Sequence, residues 1–472
     1  MPPRPHGFLA ALLLFATLGS GAFAQTEQVT LTLHPDVVIA PIPEDFIGLS
    51  YESLQLANPD FFAPSDKALV GLFKRLARHG ILRIGGNTSE YTRWSPTATV
   101  ATGTIADADK GSAPIPTTVI TPKTLAALHG FLKATGWKLI YGLNLGTGTP
   151  AEAADEAKAV GNIMGSDLVA LQIGNEPDLF SSNGLRPKIY GFDDFYKEWV
   201  AFDTAIKAED PNAPVAGPDT CWDWVPNFVE RIRKNDVLFL SSHFYWTGPP
   251  TDPKVTIDTI LNGSGWFDYN IKRDTDAAKK IGLPYRNTES NSCYRGGKAG
   301  VSDTFASALW AGEFSFLNAS WGAVGVTFHG GGKAIYTPIA GDPKAGFTAR
   351  PDYYGILLAS QFMGSQLIAC DLGPTHVNLK AYAAMKSGAT MVALFNNDKS
   401  KDVRVNLATS SGDISLWPLL APALDAKDHV TFAGSEVSGT GDWSPEVDLA
   451  FASHGRLEVT VPAGSAMVVV LK

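Results

Sequence analysis

The chain alternates between short apolar runs and longer segments in which apolar residues recur every three or four positions. From residue 46 this order repeats eight times, with apolar runs at 46–51, 81–84, 138–144, 168–173, 214–217, 237–243, 284–288 and 322–328. Such runs predict buried strands, and the spacing between them predicts helices. Parallel strands that alternate with helices through eight units are typical of a closed barrel. We therefore predict an α/β fold, a (β/α)8 TIM barrel, over residues 43–364.

The pattern changes after about residue 365. Helical spacing disappears, and short alternating runs follow at 377–383, 390–395, 403–407, 414–417, 430–432, 457–461 and 466–471. Alternation with period two predicts strands that bury one face, as antiparallel sheets do. Residues 28–33 alternate in the same way. We therefore predict an additional antiparallel β-sandwich domain over residues 365–472, to which residues 25–42 contribute N-terminal strands.

Residues 1–24 have the pattern of a secretory signal peptide. Arg4 precedes an apolar stretch at 8–18, and Ala22-Phe23-Ala24 matches the small-residue cleavage site. The apolar stretch is too short to serve as a membrane anchor. We therefore expect cleavage near Ala24, export to the periplasm or the extracellular space, and no membrane partner.

The net charge and composition of the chain limit the kinds of partner that it is expected to bind. The formal net charge is −9, which disfavours nucleic acid or a highly sulfated polymer as the main partner. The three cysteines cannot form a disulfide framework, and the nine histidines show no metal-ligand spacing. We expect a globular monomer without metal or cofactor.

Two glutamates follow apolar runs where catalytic groups of a barrel would lie. Glu176 follows predicted strand four in a Gly-Asn-Glu-Pro motif, and Glu289 follows predicted strand seven in Thr-Glu-Ser. Either motif alone also fits an ordinary polar loop. In a barrel, however, the strand ends converge at one mouth, and two carboxyl groups about 5 to 5.5 Å apart are the working parts of a retaining glycosidase.

Three segments carry a closer resemblance, namely 174–177 (GNEP), 289–306 and 350–354 (RPDYY). The chain resembles retaining barrel glycosidases with the acid/base on strand four and the nucleophile on strand seven. More closely, it resembles glycoside hydrolase family 79, which contains β-glucuronidases and heparanases. The resemblance implies Glu176 as acid/base, Glu289 as nucleophile, and a carbohydrate substrate with terminal β-linked glucuronic acid.

The resemblance also implies a set of substrate-binding residues. Asn175 would bind the sugar 2-hydroxyl, and the uronate carboxylate would be bound by Tyr294, Gly296 and Tyr336. Neutral donors hold a carboxylate without the full charge of an arginine, which would lower the pKa of both catalytic groups. Arg295 departs from this pattern and also fits a solvated loop position.

Three further candidates come from neighbouring strand ends. Glu52 and Asn87 match positions that bind sugar hydroxyls in the family, although both also fit turn or cap positions. Tyr245 would hydrogen-bond the nucleophile or the substrate. His243, two residues before it, fits a buried core histidine equally well.

Several functions stay open. An exo-acting β-glucuronidase competes with an endo-acting heparanase-like enzyme and with a neutral-sugar β-glycosidase of the same clan. A carbohydrate-binding protein that has lost catalysis would lack a carboxylate, and both are present. An endo-enzyme on heparan sulfate needs basic clusters beside its cleft, whereas the densest ones here, 74–78 and 231–234, fall in predicted outer helices.

Overall fold

The computed structural model describes residues 26–99, 117–263 and 265–472. The predicted signal peptide, with its cleavage site at Ala24, lies outside the described residues. Within these ranges no helix combines the length and the hydropathy that crossing a membrane requires.

Eight parallel strands close into a barrel. In chain order, the strands up to the last helix are β1 (Glu27–Ile42), β2 (Ile47–Glu52), β3 (Ile81–Gly85), β4 (Thr92–Trp94), β5 (Thr118–Ile120), β6 (Lys138–Leu143), β7 (Leu168–Ile173), β8 (Val215–Thr220), β9 (Leu240–Thr247), β10 (Tyr285–Cys293), β11 (Val326–Gly330), β12 (Ile339–Asp342) and β13 (Gly346–Ala349). The barrel order is β2-β3-β6-β7-β8-β9-β10-β11, and β11 pairs with β2 to close it. The predicted eight-stranded parallel barrel is confirmed.

Helices follow the barrel strands. They are α1 (Lys67–Leu76), α2 (Pro122–Thr135), α3 (Pro150–Met164), α4 (Phe192–Glu209), α5 (Trp224–Val229), α6 (Ile257–Leu261), α7 (Gly265–Ile281), α8 (Phe305–Ser320) and α9 (Pro351–Ser360). Local sequence sets where they begin. Thr149 and Glu152 form a reciprocal capping box at the start of α3, with Pro150 in the first turn.

The remaining strands form a separate sheet. They are β14 (Ser365–Leu372), β15 (Leu379–Lys386), β16 (Ala389–Asn396), β17 (Val403–Ala408), β18 (Ile414–Leu420), β19 (Thr431–Phe432), β20 (Asp448–Ala450), β21 (Arg456–Val461) and β22 (Ser465–Leu471). Together with β1 they make one ten-stranded sheet, mostly antiparallel, in which β1 lies between β14 and β17. Apolar side chains from both halves of this strand order share one buried cluster. The assignment to a β-sandwich stays a prediction.

The sheet packs against α8, the helix that follows β10. Phe316 lies 4.9 Å from Tyr382 and 6.0 Å from Phe395, measured between ring centroids. Gly312 lies under Phe395, where an added Cβ would come within 2.7 Å of the ring. Since glycine permits this close approach, the sheet supports the barrel wall behind β10.

Candidate active site

The structure brings the two predicted catalytic glutamates to the mouth of the barrel. Glu176 lies three residues after the end of β7 and has a left-handed φ of 48°, and its backbone N–H donates to the Asp219 carbonyl at 2.9 Å. Glu289 lies inside β10. The prediction that strand seven ends at residue 288 is wrong, because β10 continues to pair with β9 through Cys293 after a register shift next to Glu289.

The separation of the two carboxyl groups is short. One carboxylate oxygen of Glu176, one of Glu289 and a ring nitrogen of His243 all lie within 4.8 Å of one another. Both glutamates are buried, with 7% and 5% of their surface exposed. Pairs about 5 Å apart suit double displacement, whereas inverting pairs stand about 6.5 to 9.5 Å apart to hold a water between them.

Arg83 of β3 lies beneath the two glutamates and connects most of the site. It is fully buried, and each of its five N–H groups has an acceptor. At 2.7 to 3.0 Å the acceptors are Ser50, Gln172, Asn175, Asp219 and Glu289. A planar guanidinium is suited to five fixed partners, so Arg83 sets the relative positions of the strand ends.

Glu289 is held as an anion. Burial raises the pKa of Glu289, but the positive charges of His329, His243 and Arg83 outweigh that effect and lower it to about 2. The Arg83 and Tyr245 side chains donate to its two oxygens at 2.7 and 2.8 Å. An ionised, fixed carboxylate is the form that a nucleophile requires.

His243 lies between the carboxylates of the site. Its Nδ1 is 2.9 Å from Glu176 Oε1, and its Nε2 is 3.0 Å from Asp219 Oδ1. Burial lowers the pKa of His243, yet Asp219 and Glu289 raise it to about 10. A protonated imidazole has no lone pair to offer a metal ion, so the Glu176–His243–Glu289 cluster is better suited to proton chemistry than to metal binding.

A buried acid, Glu90, holds the backbone before Glu176. Its carboxyl group accepts hydrogen bonds from the backbone N–H groups of Asn175 and Gly146. Burial raises the pKa of Glu90 to about 8, although these N–H groups favour its charged form. Glu90 thus ties the loop after β6 to the Asn175–Glu176 turn.

The side chain of Asn175 has a fixed orientation. Its Oδ1 accepts from Arg83 at 2.8 Å, which leaves its Nδ2 as a donor at the mouth, 3.5 Å from Asn87 Oδ1. Glu52 accepts from both the backbone and the hydroxyl of Thr88. Glu52 also lies 3.6 Å from Nε2 of His329. Asn87 and Glu52 therefore flank the catalytic pair on the β2 and β3 side.

Three tyrosines form a cluster on the opposite side of Glu289. The Tyr245 ring lies 6.4 Å from that of Tyr294 and 6.1 Å from that of Tyr336. Gly296 has a φ of 85°, and its carbonyl oxygen accepts hydrogen bonds from the backbone N–H groups of Ile335 and Tyr336. These bonds join the loops after β10 and β11. Arg295 is exposed and stacks on the Tyr294 ring at 5.9 Å.

Sequence reasoning missed several residues of this site. Arg83, Asp219, Glu90 and His329 were not among the candidates. They could have been found as charged residues that lie inside or directly after an apolar strand, as Arg83 does within Ile81–Gly85. A charge that is buried in this way requires a partner, so it marks a polar network.

Sequence comparison finds relatives among β-glucuronidases. A β-glucuronidase of Neurospora crassa is 27% identical over 425 residues, which cover 80% of this chain and 73% of the relative. A β-glucuronidase of Aspergillus niger is 23% identical over 499 aligned positions, which cover 92% of this chain and 88% of the relative. No family model matches the chain.

A solved 4-O-α-L-rhamnosyl-β-D-glucuronidase of Fusarium oxysporum has the same fold. The TM-score is 0.78 at 19% identity, and the match covers 94% of this chain and 100% of the other. The chain is a β-glucuronidase-like glycoside hydrolase. The resemblance to β-glucuronidases that the sequence motifs indicated is confirmed. In this hydrolase the two buried carboxyl groups, Glu176 and Glu289, lie at the barrel mouth with fixed hydrogen-bond partners.

Proposed function

We propose that the chain is an exported, retaining exo-β-glucuronidase of glycoside hydrolase family 79. In this proposal it acts as a monomer and removes terminal β-linked glucuronic acid by double displacement. The observation that carries the mechanism is the separation of Glu176 and Glu289, whose nearest carboxylate oxygens lie within 4.8 Å. Export is proposed from the leader pattern at residues 1–24.

Each glutamate takes one role. Glu289, ionised and fixed by Arg83 and Tyr245, attacks the anomeric carbon and forms a glycosyl-enzyme. Glu176 donates its proton to the departing glycosidic oxygen and then, as a carboxylate, accepts a proton from the attacking water. Asn175 Nδ2 donates to the sugar 2-hydroxyl, since Arg83 already occupies its Oδ1.

Selectivity for the uronate is assigned to the tyrosine cluster. The Tyr294 and Tyr336 hydroxyls and the backbone at Gly296 lie on the loops after β10 and β11. Neutral donors suit this position because Glu289 stands next to the cluster and its ionisation is already set by three cations. The two curated fungal relatives, both named β-glucuronidase, support the same substrate class.

Exo action is supported by where the basic residues lie. Arg75 donates to the Gly441 carbonyl at 3.0 Å and stacks over Trp443, so it contacts the sheet domain and not the mouth. Arg231 pairs with Asp193 and stacks on Tyr196 of α4. These two arginines are therefore already engaged by protein groups, and the net charge of −9 disfavours binding of a long anionic chain.

One assay series tests the proposal. Purified protein is given aryl β-D-glucuronide, β-D-glucoside and β-D-xyloside, and the glucuronide is expected to have the highest kcat/KM. Tyr294→Phe should lower kcat/KM on glucuronide roughly ten- to hundredfold, because a hydrogen bond to a charged group is worth about 1.5 to 3 kcal/mol, and should change the glucoside little. Equal losses on both sugars, or a faster wild-type glucoside or xyloside, would refute the uronate assignment.

A further inference from the structure

Exposed aromatic side chains are concentrated on segments that follow three adjacent barrel strands. Among the described residues the exposed aromatics are Trp222, Trp266, Tyr269, Tyr294 and Phe451. All but Phe451 follow β8, β9 or β10, three adjacent barrel strands. Trp222, Trp266 and Tyr269 have 60%, 72% and 63% of their surface exposed, although buried aromatic rings are the rule in this chain. Single exposed rings are ordinary, whereas a group of them on neighbouring segments marks a candidate ligand-binding surface.

Trp222 is fixed to the same loop as the proposed acid/base. Its backbone N–H donates to Asp178 Oδ2 at 2.8 Å, and Asp178 is two residues after Glu176. The same carboxylate oxygen accepts the Cys221 N–H at 3.1 Å. Burial and the charge of Glu176 raise the pKa of Asp178 to about 7. The backbone of Trp222 is therefore tied to the loop that carries Glu176, the proposed acid/base.

The carbonyl of Trp222 is fixed as well. Arg273 of α7 donates to it at 2.8 Å and also donates to Asn270 Oδ1 at 2.9 Å. Tyr269 and Asn270 lie three and four residues after Trp266, and Arg273 lies four and three residues after them, so the four share one face of α7. The rings of Trp266 and Tyr269 contact each other at 6.4 Å. From Arg273 to Trp266 the helix rises about 10 Å toward the end where β9 finishes.

The direction of the leaving group decides what these rings meet. The sugar that is cleaved off lies between Glu176 and Glu289, with its carboxylate toward the loops after β10 and β11. The leaving group must pass Glu176, because Glu176 gives it a proton. Trp222 follows β8, the neighbour of β7, and so lies on that side of the mouth.

We propose that Trp222 is the platform for the first ring of the leaving group, and that Trp266 with Tyr269 extends this surface to a second ring. The occupant is the aglycone of the hydrolysed substrate, recognised by a flat apolar ring face, whether an aromatic ring or a pyranose. The proposal rests on the roles assigned above to Glu176 and Glu289. It adds that the enzyme selects substrates by a ring-shaped aglycone and not by the terminal sugar alone.

The test compares substrates that share the glycone and differ in the leaving group. They are β-D-glucuronyl fluoride, 4-methylumbelliferyl β-D-glucuronide and a glucuronyl β-linked trisaccharide. For Trp222→Ala, kcat/KM on the two ring-bearing substrates should fall about tenfold relative to the fluoride, mainly through KM. Trp222→Phe, which keeps a flat ring, should recover most of this loss. Trp266→Ala should affect the trisaccharide more than the umbelliferyl substrate.

Leu238→Ala is the matched control. Leu238 is also an exposed apolar residue, 51% accessible, but it precedes β9 at the opposite end of the barrel. This variant should match wild type on all three substrates. If Trp222→Ala lowers kcat/KM only for the aromatic aglycone or only for the sugar aglycone, the result identifies which kind of ring the surface binds.

Failure of this inference is separable from failure of the proposed function. The deciding quantity is kcat/KM on each ring-bearing substrate divided by kcat/KM on the fluoride. If this ratio for Trp222→Ala stays within twofold of wild type for both ring-bearing substrates, the platform is overturned while glucuronide hydrolysis is intact. If wild type cleaves a different β-glycoside and no glucuronide, the same leaving-group series on that sugar still measures the ratio, because Trp222 is assigned to the leaving-group side only.

Discussion

Replacing Tyr245 by phenylalanine removes a hydrogen bond to the proposed nucleophile. The Tyr245 hydroxyl donates to Glu289 Oε1 at 2.8 Å, and this hydroxyl also shares a side-chain hydrogen bond with Tyr336. Phenylalanine keeps the ring that packs against Tyr294 and Tyr336. The substitution therefore removes a donor from the Glu289 anion without opening a cavity.

The size of the effect follows from the charge of the acceptor. A hydrogen bond to a charged group contributes about 1.5 to 3 kcal/mol, and one pKa unit corresponds to about 1.4 kcal/mol. The pKa of Glu289, about 2 in the native protein, should thus rise by roughly one to two units in Tyr245→Phe. Since kcat/KM reports ionisation in the free enzyme, the acid limb of its pH profile should move up by the same amount.

Unfolding measurements give a second readout with a defined sign. The folded pKa of Glu289 lies below its ordinary value of 4.5, so the ionised group contributes stability above that pH and loses it as the pH falls through about 2. Tyr245→Phe should be less stable than wild type by about 1.5 to 3 kcal/mol at pH 6. This difference should narrow between pH 4.5 and 2.

Tyr190→Phe provides the control for this prediction. The Tyr190 hydroxyl donates to Glu198 at 2.9 Å, so the same atom is removed from another tyrosine–carboxylate pair. Its acid limb should coincide with that of wild type. An acid limb of folded, active Tyr245→Phe that stays within about 0.3 pH units of wild type would refute the reasoning.

Three further predictions concern the catalytic groups and the mode of action. Glu289→Gln should abolish turnover, whereas azide should restore Glu176→Ala and give a β-glycosyl azide by NMR; an α-azide would contradict the assigned roles. Arg83→Lys offers three donors to the five acceptors of Arg83, so the free energy of unfolding in urea should fall by roughly 3 kcal/mol and kcat/KM at least a hundredfold. A loss in kcat/KM of less than tenfold would contradict the positioning role of Arg83. Heparan chains should release glucuronic acid before size-exclusion profiles shift, and early mid-sized fragments would favour endo action.

The barrel was predictable because its strands are buried on both faces. Strands such as β6 and β7 read as continuous apolar runs, and helical spacing between such runs separates them clearly. The position of Glu176 followed from the same pattern, because its motif begins where β7 ends. The strand β14 was not predicted, since its pairing with the N-terminal β1 defines it more than its own composition does.

The connecting network was not predictable, for a physical reason. Arg83 is bonded to residues 136 and 206 positions away, Asp219 and Glu289. Local periodicity carries no information about such partners. Asp219 was also not recognised as a site residue, because the predicted strand five ended at residue 217, whereas β8 runs to Thr220. The sequence therefore indicated two catalytic carboxyl groups but not the charges that set their ionisation.

The place of β1 has a consequence for how the protein is made. β1 is synthesised before every other described strand, yet its two neighbours, β14 and β17, are synthesised more than 300 residues later. Until then the first strand has exposed edges, and such edges invite pairing with other chains. Pairing across so long a separation is slow to form. A sheet domain cut out as a C-terminal unit therefore lacks the strand that joins β14 to β17, and a chain interrupted before residue 403 leaves its first strand without a partner on one side.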